Sequence, residues 1–506
     1  MSTLSTPPER ITIARTPPFR VPGTALLLLF GVVGFAALVG YLATEYNILL
    51  VLGGILALAG LVLMFVEPDA TTLIILFVTY ANLTVVAVRF HAVPEFLSVL
   101  FFFFLGIPLL NYMLFRRQRI ILNRVLFMML AYLGVLLASA VLSGQAEESD
   151  GRIVAYLTEG VALYFLILNT VRTPELLRRG IWALILAGCF MGSISLYQEL
   201  THSYDNSLGG LAQVGESEIS TGVIDPTTDA DAGRLRLAGP IGSKNRYAQI
   251  MVVLLPLALF RVRAERSWSL RVLAAAACIP ILGGALLTFS RGAGLSIIIT
   301  VLAMVYLRTL KVRHLLAISL AGAVFVLLVI PDYVYRISTV AELGELVTGG
   351  ANQTSGSVQG RATENLASLN IFLDHPILGV GPGQTNLYTA EYGNEIGLRL
   401  LQGTRRGHNM YLEELADTGL LGFVIFMGIV LFTMYELAQV RRRLAASRPD
   451  LAYTAAGFLL AIIAYLATAT FLHLSYIRYY WLLLALAGAA IQVYHAAAAA
   501  PGQEQA

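Results

Sequence analysis

Residues 122–142 read LNRVLFMMLAYLGVLLASAVL, and after Arg124 eighteen residues pass without a charged side chain. A helix rises about 1.5 Å per residue and the hydrocarbon core of a bilayer is about 30 Å thick, so roughly 20 apolar residues suffice to cross it. This stretch reads as a membrane crossing, and the rest of the chain repeats the pattern. Hydrophobic residues make up 57% of the 506 and charged residues only 13%. A water-soluble domain typically carries about 25% charged residues. A soluble globular enzyme is therefore excluded.

Scanning for long apolar stretches predicts fourteen spans, at 24–44, 47–66, 70–88, 96–115, 122–142, 153–170, 181–200, 247–260, 272–289, 292–307, 315–330, 419–437, 451–470 and 479–497. The expected fold is an all-α integral membrane protein. Its parts are a disordered cytoplasmic tail (1–22), a first set of transmembrane helices (23–200) and an extracytoplasmic loop (201–246). A second helical set (247–330) follows, then a large extracytoplasmic loop (331–418) and the last helices (419–497). Pro7, Pro8, Pro17, Pro18 and three arginines precede the first span without a small-residue cleavage site behind it, so a cleavable signal peptide is not expected.

The bland net charge of +3 conceals a segregation. With both termini inside, the inner segments hold 21 basic against 8 acidic residues, or +13, and the outer segments 13 against 23, or −10. Every short inner loop except Glu67 to Asp69 is basic, as the positive-inside rule requires of cytoplasmic loops. Cys189 and Cys278 sit in apolar runs as small core residues. No nucleic-acid partner is expected, and no Gly-rich phosphate loop with its lysine marks a nucleotide-driven pump.

Candidates for chemistry lie on the outer side. Arg234-Leu-Arg236-Leu-Ala-Gly-Pro-Ile-Gly-Ser-Lys244-Asn245-Arg246 is the densest basic patch of an otherwise acidic face, with Gly and Pro residues that allow close backbone approach to an anion. Thr288-Phe-Ser290-Arg291-Gly292 puts one arginine in a short turn between two spans, where it either snorkels to headgroups or faces a polar cavity. The third cluster runs from Arg405-Arg406-Gly-His408-Asn409-Met-Tyr411 to Gly419. Tyr411 and Leu412 share the helical face of His408 while Glu413 and Glu414 turn away, so a carboxylate that orients the imidazole must come from elsewhere. Glu159 is an intramembrane acid and by default a functional candidate. Asp229-Ala-Asp231 reads as a solvated acidic stretch, and Gly379-Val-Gly381-Pro-Gly383 does not suit a dinucleotide because Pro382 replaces the required helix start.

His408-Asn-Met-Tyr-Leu-Glu-Glu-Leu-Ala-Asp-Thr-Gly-Leu-Leu-Gly422, preceded by Asp374-His-Pro-Ile-Leu-Gly-Val-Gly-Pro-Gly383 and Thr288-Phe-Ser-Arg-Gly292, resembles the O-antigen ligase and O-antigen polymerase superfamily. Arg236-Leu-Ala-Gly-Pro-Ile-Gly-Ser-Lys-Asn245 stands in for a further family segment, with Lys244 where the family has proline. Near Arg361, Asn365 replaces the family's tryptophan. The resemblance implies a glycosyltransferase of the bacterial cytoplasmic membrane with its active site on the periplasmic side, taking an undecaprenyl-diphosphate-linked glycan as donor and a glycan or lipid A-core as acceptor. His408 would be the general base, and Arg291 with Arg236 or Arg246 would hold the diphosphate. Asn409, Tyr411, Arg361, Glu159 and Ser290 would support them, with no metal or cofactor needed and inversion at the anomeric carbon. Fourteen spans lean towards a polymerase, whereas the motifs suit a ligase equally. A protein O-oligosaccharyltransferase, an exopolysaccharide polymerase and, from another class, a lipid-linked glycan transporter or flippase are the alternatives.

Overall fold

The computed structural model describes residues 60–215, 235–309, 311–329, 356–398, 400–401, 403–474 and 477–499. The chain divides into two units, Met1–Val66 and Glu67–Ala506. Of the first unit the described residues, 60–66, are helical. The second is built from α1 (Pro68–Tyr80), α2 (Leu83–Phe90), α3 (Glu95–Leu114), α4 (Arg124–Leu142), α5 (Glu147–Thr170) and α6 (Pro174–Thr201). After β1 (Gln213–Val214) and β2 (Leu237–Gly239) come α7 (Lys244–Ala264), α8 (Trp268–Leu286), α9 (Arg291–Tyr306), α10 (Val312–Val329), α11 (Gly356–Asp374) and α12 (Thr385–Ile396). The chain closes with α13 (Met410–Leu444), α14 (Pro449–Ala469) and α15 (Ile477–Ala499).

Among the described residues nine helices are long and apolar enough to cross a membrane: α3 to α8 and α13 to α15. The predicted span 24–44 and most of 47–66 lie outside the described residues, as do both chain ends. The expected crossing 70–88 is broken instead, between α1 and α2. Asn82 there adopts a left-handed backbone (φ 59°), and its amide donates to the Pro240 carbonyl at 2.8 Å. The predicted 292–307 crossing is α9, with only 16 residues. Among its described residues the segment expected as one loop over 331–418 holds helices α11 and α12 and the start of α13. Their polar composition hides them from a search for apolar runs. Among the described residues the only strands are β1 and β2, an antiparallel pair with Gln213 opposite Gly239 and Val214 opposite Leu237.

Helix α7 packs between α8 and α14, and α14 and α15 are largely enclosed by their neighbours. Aromatic rings fill the middle: Tyr132, Tyr156, Phe426, Tyr480 and Trp481 meet edge to face or stacked. Large apolar side chains such as Leu114, Val141, Leu142 and Leu302 are exposed on the outside. An exposed apolar belt of this extent suits lipid, not water. Since lipid tails are as apolar as leucine, helices associate in a bilayer through close packing of small residues. At the α6–α8 crossing a Cβ on Gly192 would lie 2.0 Å from the Pro280 carbonyl oxygen, and one on Gly284 would lie 3.1 Å from the Gly192 Cα.

Gly192→Leu is therefore expected to force α6 and α8 apart, at a cost of about 1–3 kcal/mol for overpacking. It should lower the thermal unfolding midpoint in detergent. An unchanged midpoint would contradict this account of the crossing.

Candidate active site

The site is assembled at one end of the bundle, around the start of α13. Asn409 caps this helix: its Oδ1 accepts from the amides of Tyr411 (2.9 Å) and Leu412 (3.2 Å). A side-chain acceptor here satisfies amides that the first helical turn leaves without partners. His408 consequently stands just ahead of the helix. Its Nδ1 lies 2.7 Å from Glu364 Oε2. Glu364 is buried on α11, and its other oxygen is 3.6 Å from Arg405. The orienting carboxylate thus comes from another helix, as the spacing in the sequence required. Glu413 and Glu414 do turn away: Glu413 accepts from the Leu474 amide at 2.7 Å and Glu414 from the Tyr132 hydroxyl at 2.5 Å. With Nδ1–H directed at a carboxylate, the lone pair of His408 falls on Nε2, which has no hydrogen-bond partner among the described residues.

The segment Thr470–Leu474, between α14 and α15, forms the neighbouring wall. Arg246 on α7 donates to the His473 carbonyl and, at 2.9 Å, to Gln249. Arg152 on α5 donates to the Leu474 carbonyl at 2.6 Å and stands 3.6 Å from Glu414 and 3.8 Å from Glu413. These bonds hold the backbone of the segment, and the His473 ring lies edge to face against His408, with centroids 5.9 Å apart. Burial, followed by the charges of Arg246, Arg406 and His408, holds the His473 imidazole well below the usual histidine range, so it is neutral. Arg406 is also pushed down by burial and makes no hydrogen bond or ion pair among the described residues.

Two of the sequence clusters meet at the start of α9. The Arg236 Nε donates to the Thr288 carbonyl at 2.7 Å and its Nη2 to Asn245 Oδ1 at 3.2 Å. The Leu237 amide donates to the Leu287 carbonyl, tying β2 to the end of α8. Ser290 caps α9 through the Ala293 amide. Phe289 has φ +51°, a conformation that is a genuine outlier for a bulky side chain. Arg291 is the first residue of α9 and half-buried, and its guanidinium has no hydrogen-bond or ion-pair partner among the described residues. A Cβ on Gly292 would lie 3.1 Å from Phe471, so this turn adjoins the segment that carries His473.

Helix α13 breaks at Gly419 (φ 63°, ψ −169°). The Asp374-to-Gly383 motif fills the break. Val380 and Gly381 amides donate to the carbonyls of Ala416 and Asp417, and Leu420 and Leu421 amides donate to the carbonyls of Pro376 and Ile377. The Asp417 carboxylate accepts from the amides of Gly383 and Thr385 and from the Thr385 hydroxyl, at 2.8, 3.0 and 2.5 Å. The glycines here serve a backbone interlock, in keeping with the exclusion of a dinucleotide loop.

The remaining candidates are placed elsewhere or differently. Glu159 faces Arg478 at 4.0 Å, and Arg478 in turn donates to Asn82 at 2.6 Å, a pairing apart from the His408 contacts. Arg361 lies on α11 one turn before Glu364. Tyr411 donates its hydroxyl to the Leu466 carbonyl. Arg234 and Asp229-Ala-Asp231 lie outside the described residues. No group of three His, Cys, Asp or Glu among the described residues is arranged to hold a metal. Glu364, Arg152 and His473 were not singled out from the sequence. A carboxylate four positions before Ser368 or a histidine between two spans carries no local signature, although the requirement for a partner outside α13 pointed to something like Glu364.

Residues 276–427 match the family model described as O-antigen ligase, and the match contains Arg291, Glu364, His408 and the Gly419 interlock. This segment is similar to an O-antigen ligase domain. None of the curated proteins compared with the chain matches it significantly. Together with the helices long and apolar enough to cross a membrane, the match supports a glycosyltransferase role of the O-antigen ligase or polymerase type in a multi-pass membrane protein.

His473, which lies beyond the matched segment, gives the site a measurable signature. Its imidazole resists protonation in the folded protein, whereas in the unfolded chain it titrates near pH 6.5. Below that pH the unfolded state binds a proton that the folded state does not, so stability falls as pH drops. The unfolding midpoint in detergent is expected to decrease from pH 7 to pH 5, and to decrease less in His473→Gln. Equal decreases in the two proteins would show that His473 does not titrate as its surroundings require.

Proposed function

We propose that the protein transfers a glycan from an undecaprenyl-diphosphate-linked donor to a hydroxyl of a glycan or lipid A-core acceptor, at the outer face of the cytoplasmic membrane. The single observation that carries the reading is the 2.7 Å bond between His408 Nδ1 and the buried Glu364 carboxylate. It leaves Nε2 as a base with its orientation set. A carboxylate behind an imidazole fixes the tautomer and stabilises the imidazolium formed on taking a proton. In transfer, the acceptor oxygen gives its proton to Nε2 and forms the new bond at the anomeric carbon, while the bond from that carbon to the diphosphate oxygen breaks. Attack from the side opposite the leaving group inverts the anomeric configuration.

The departing diphosphate carries the developing negative charge, and preorganised cations stabilise it. Arg291 is the direct contact in this proposal, because its fork is unspent and it opens helix α9, where the helix dipole also favours an anion. Arg236 and Arg246 are engaged with Thr288, Asn245, Gln249 and the His473 carbonyl. They add positive potential and hold the walls. A flippase would move lipid-linked glycan without needing a base backed by a buried carboxylate.

With a defined lipid-linked donor and reconstituted protein, His408→Ala is expected to lower the transfer rate by roughly 10² to 10⁴-fold. Arg291→Lys keeps the charge but loses the fork and should also transfer poorly. Glu364→Gln should reduce kcat with little change in donor KM. Near-normal transfer by correctly inserted His408→Ala would sink the mechanism, and translocation of lipid-linked glycan without bond formation would favour the flippase.

A further inference from the structure

Helix α11 is amphipathic in the sense opposite to that of a helix on a water-soluble protein, whose apolar side faces the core. Ala362, Leu366, Leu369 and Leu373 recur at steps of four, three and four and therefore share one stripe, whereas Glu364 and Ser368 fall on the reverse side. The polar side is the buried one: Ser368 is enclosed, and Glu364 holds the imidazole of His408. The apolar stripe faces out, with Leu366 41% and Leu373 62% exposed, and in the turn after the helix Ile377 is 71% exposed. A helix that spends its polar groups inside and turns leucines outward is compensated by lipid and not by water.

The neighbours of the stripe point to the same occupant. The Leu420 and Leu421 amides donate to the carbonyls of Pro376 and Ile377, and the Ser139 hydroxyl donates to the Leu378 carbonyl, so the turn after α11 is joined to α13 and α4. Both of these helices are long and apolar enough to cross a membrane, and beside the joints they expose Leu420, Leu421, Val141 and Leu142. Ile377 thus continues the apolar belt of two crossing helices. Helix α11 is not itself among the helices apolar enough to cross, so its contact with a bilayer is made through one face.

We propose that α11 and the turn after it form a lipid-contact surface: Leu366, Leu369, Leu373 and Ile377 rest in the acyl-chain region at the edge of the leaflet beside α4 and α13. Asp374, which accepts from the Tyr392 hydroxyl at 2.8 Å, stays among the headgroups. Because Glu364 stands on the reverse of the same helix, the contact holds the Glu364–His408 pair at the membrane surface. The surface is independent of the glycosyl-transfer reading, since it requires only bilayer lipid and no donor.

The first test uses wild-type protein in vesicles of phosphatidylcholine and phosphatidylglycerol, with a photoreactive diazirine on the phosphatidylcholine acyl chain and no lipid-linked glycan. After irradiation and digestion, lipid adducts are expected on the peptide that holds Leu366 to Ile377 as well as on those of α4 and α13. Adducts on α4 and α13 with none on that peptide would overturn the inference. The second test places a nitroxide on Leu373→Cys or Ile377→Cys, and for comparison on Glu391→Cys at an exposed position of α12, in a Cys189→Ala, Cys278→Ala background. Collisions with oxygen should exceed those with a water-soluble nickel chelate at residues 373 and 377, and the order should reverse at residue 391. Preference for the nickel chelate at residues 373 and 377 would show that water covers the stripe. Poor access of both reagents would show that a second copy or another segment of this chain covers it, and either result overturns the inference.

Discussion

Helix α13 crosses the bundle with its hydrogen-bond ladder interrupted at Gly419, and the polypeptide from Pro376 to Gly383 supplies the partners that the interruption would leave bare. In or near a bilayer an unpaired backbone group is costly because no water is at hand to satisfy it. A broken helix is stable there only if another segment completes it. That constraint joins the helices between α10 and α13 to the start of α13, where His408 stands. A Cβ at residue 419 would lie 2.3 Å from the Ile377 carbonyl, and one at residue 379 would lie 2.4 Å from the Ala416 carbonyl oxygen. The closeness of the two strands of chain explains why glycine occupies both positions.

The same end of the bundle is organised by charges that are largely spent on holding loops. Arg246, Arg152 and Glu413 converge on the Thr470–Leu474 segment between α14 and α15, and Arg236 clasps the turn between α8 and α9. Buried charges of this kind are expensive unless paired, and here most are paired with backbone carbonyls or with each other. Arg291 and Arg406 contrast with them, being cations with no hydrogen-bond or ion-pair partner among the described residues.

Burial first, and then the nearby guanidinium groups, hold the His473 imidazole neutral. His408 instead has the buried Glu364 carboxylate 2.7 Å from its Nδ1. Two histidine rings 5.9 Å apart thus stand in different surroundings.

How much of this was legible in the sequence follows from the range of each interaction. Apolar runs of about 20 residues are local, and they revealed the membrane class and most of the crossings that the described residues contain. The motifs Thr288–Gly292 and His408–Gly422 are local too, and they carried the resemblance that the family match over 276–427 supports. Polar helices α11 and α12 escaped because a hydropathy scan registers only apolar length. Asn82 broke an apparently continuous span through bonds to Pro240 and Arg478, residues 158 and 396 positions away. The sequence by itself determined that this is a many-helix membrane protein with a few arginines and a histidine in motifs that resemble those of the family. Only the tertiary structure decided that Glu364 orients His408, that Arg246 is a clamp while Arg291 stays open, and that His473 joins the site, because hydrogen bonds between distant helices leave no periodic trace along the chain.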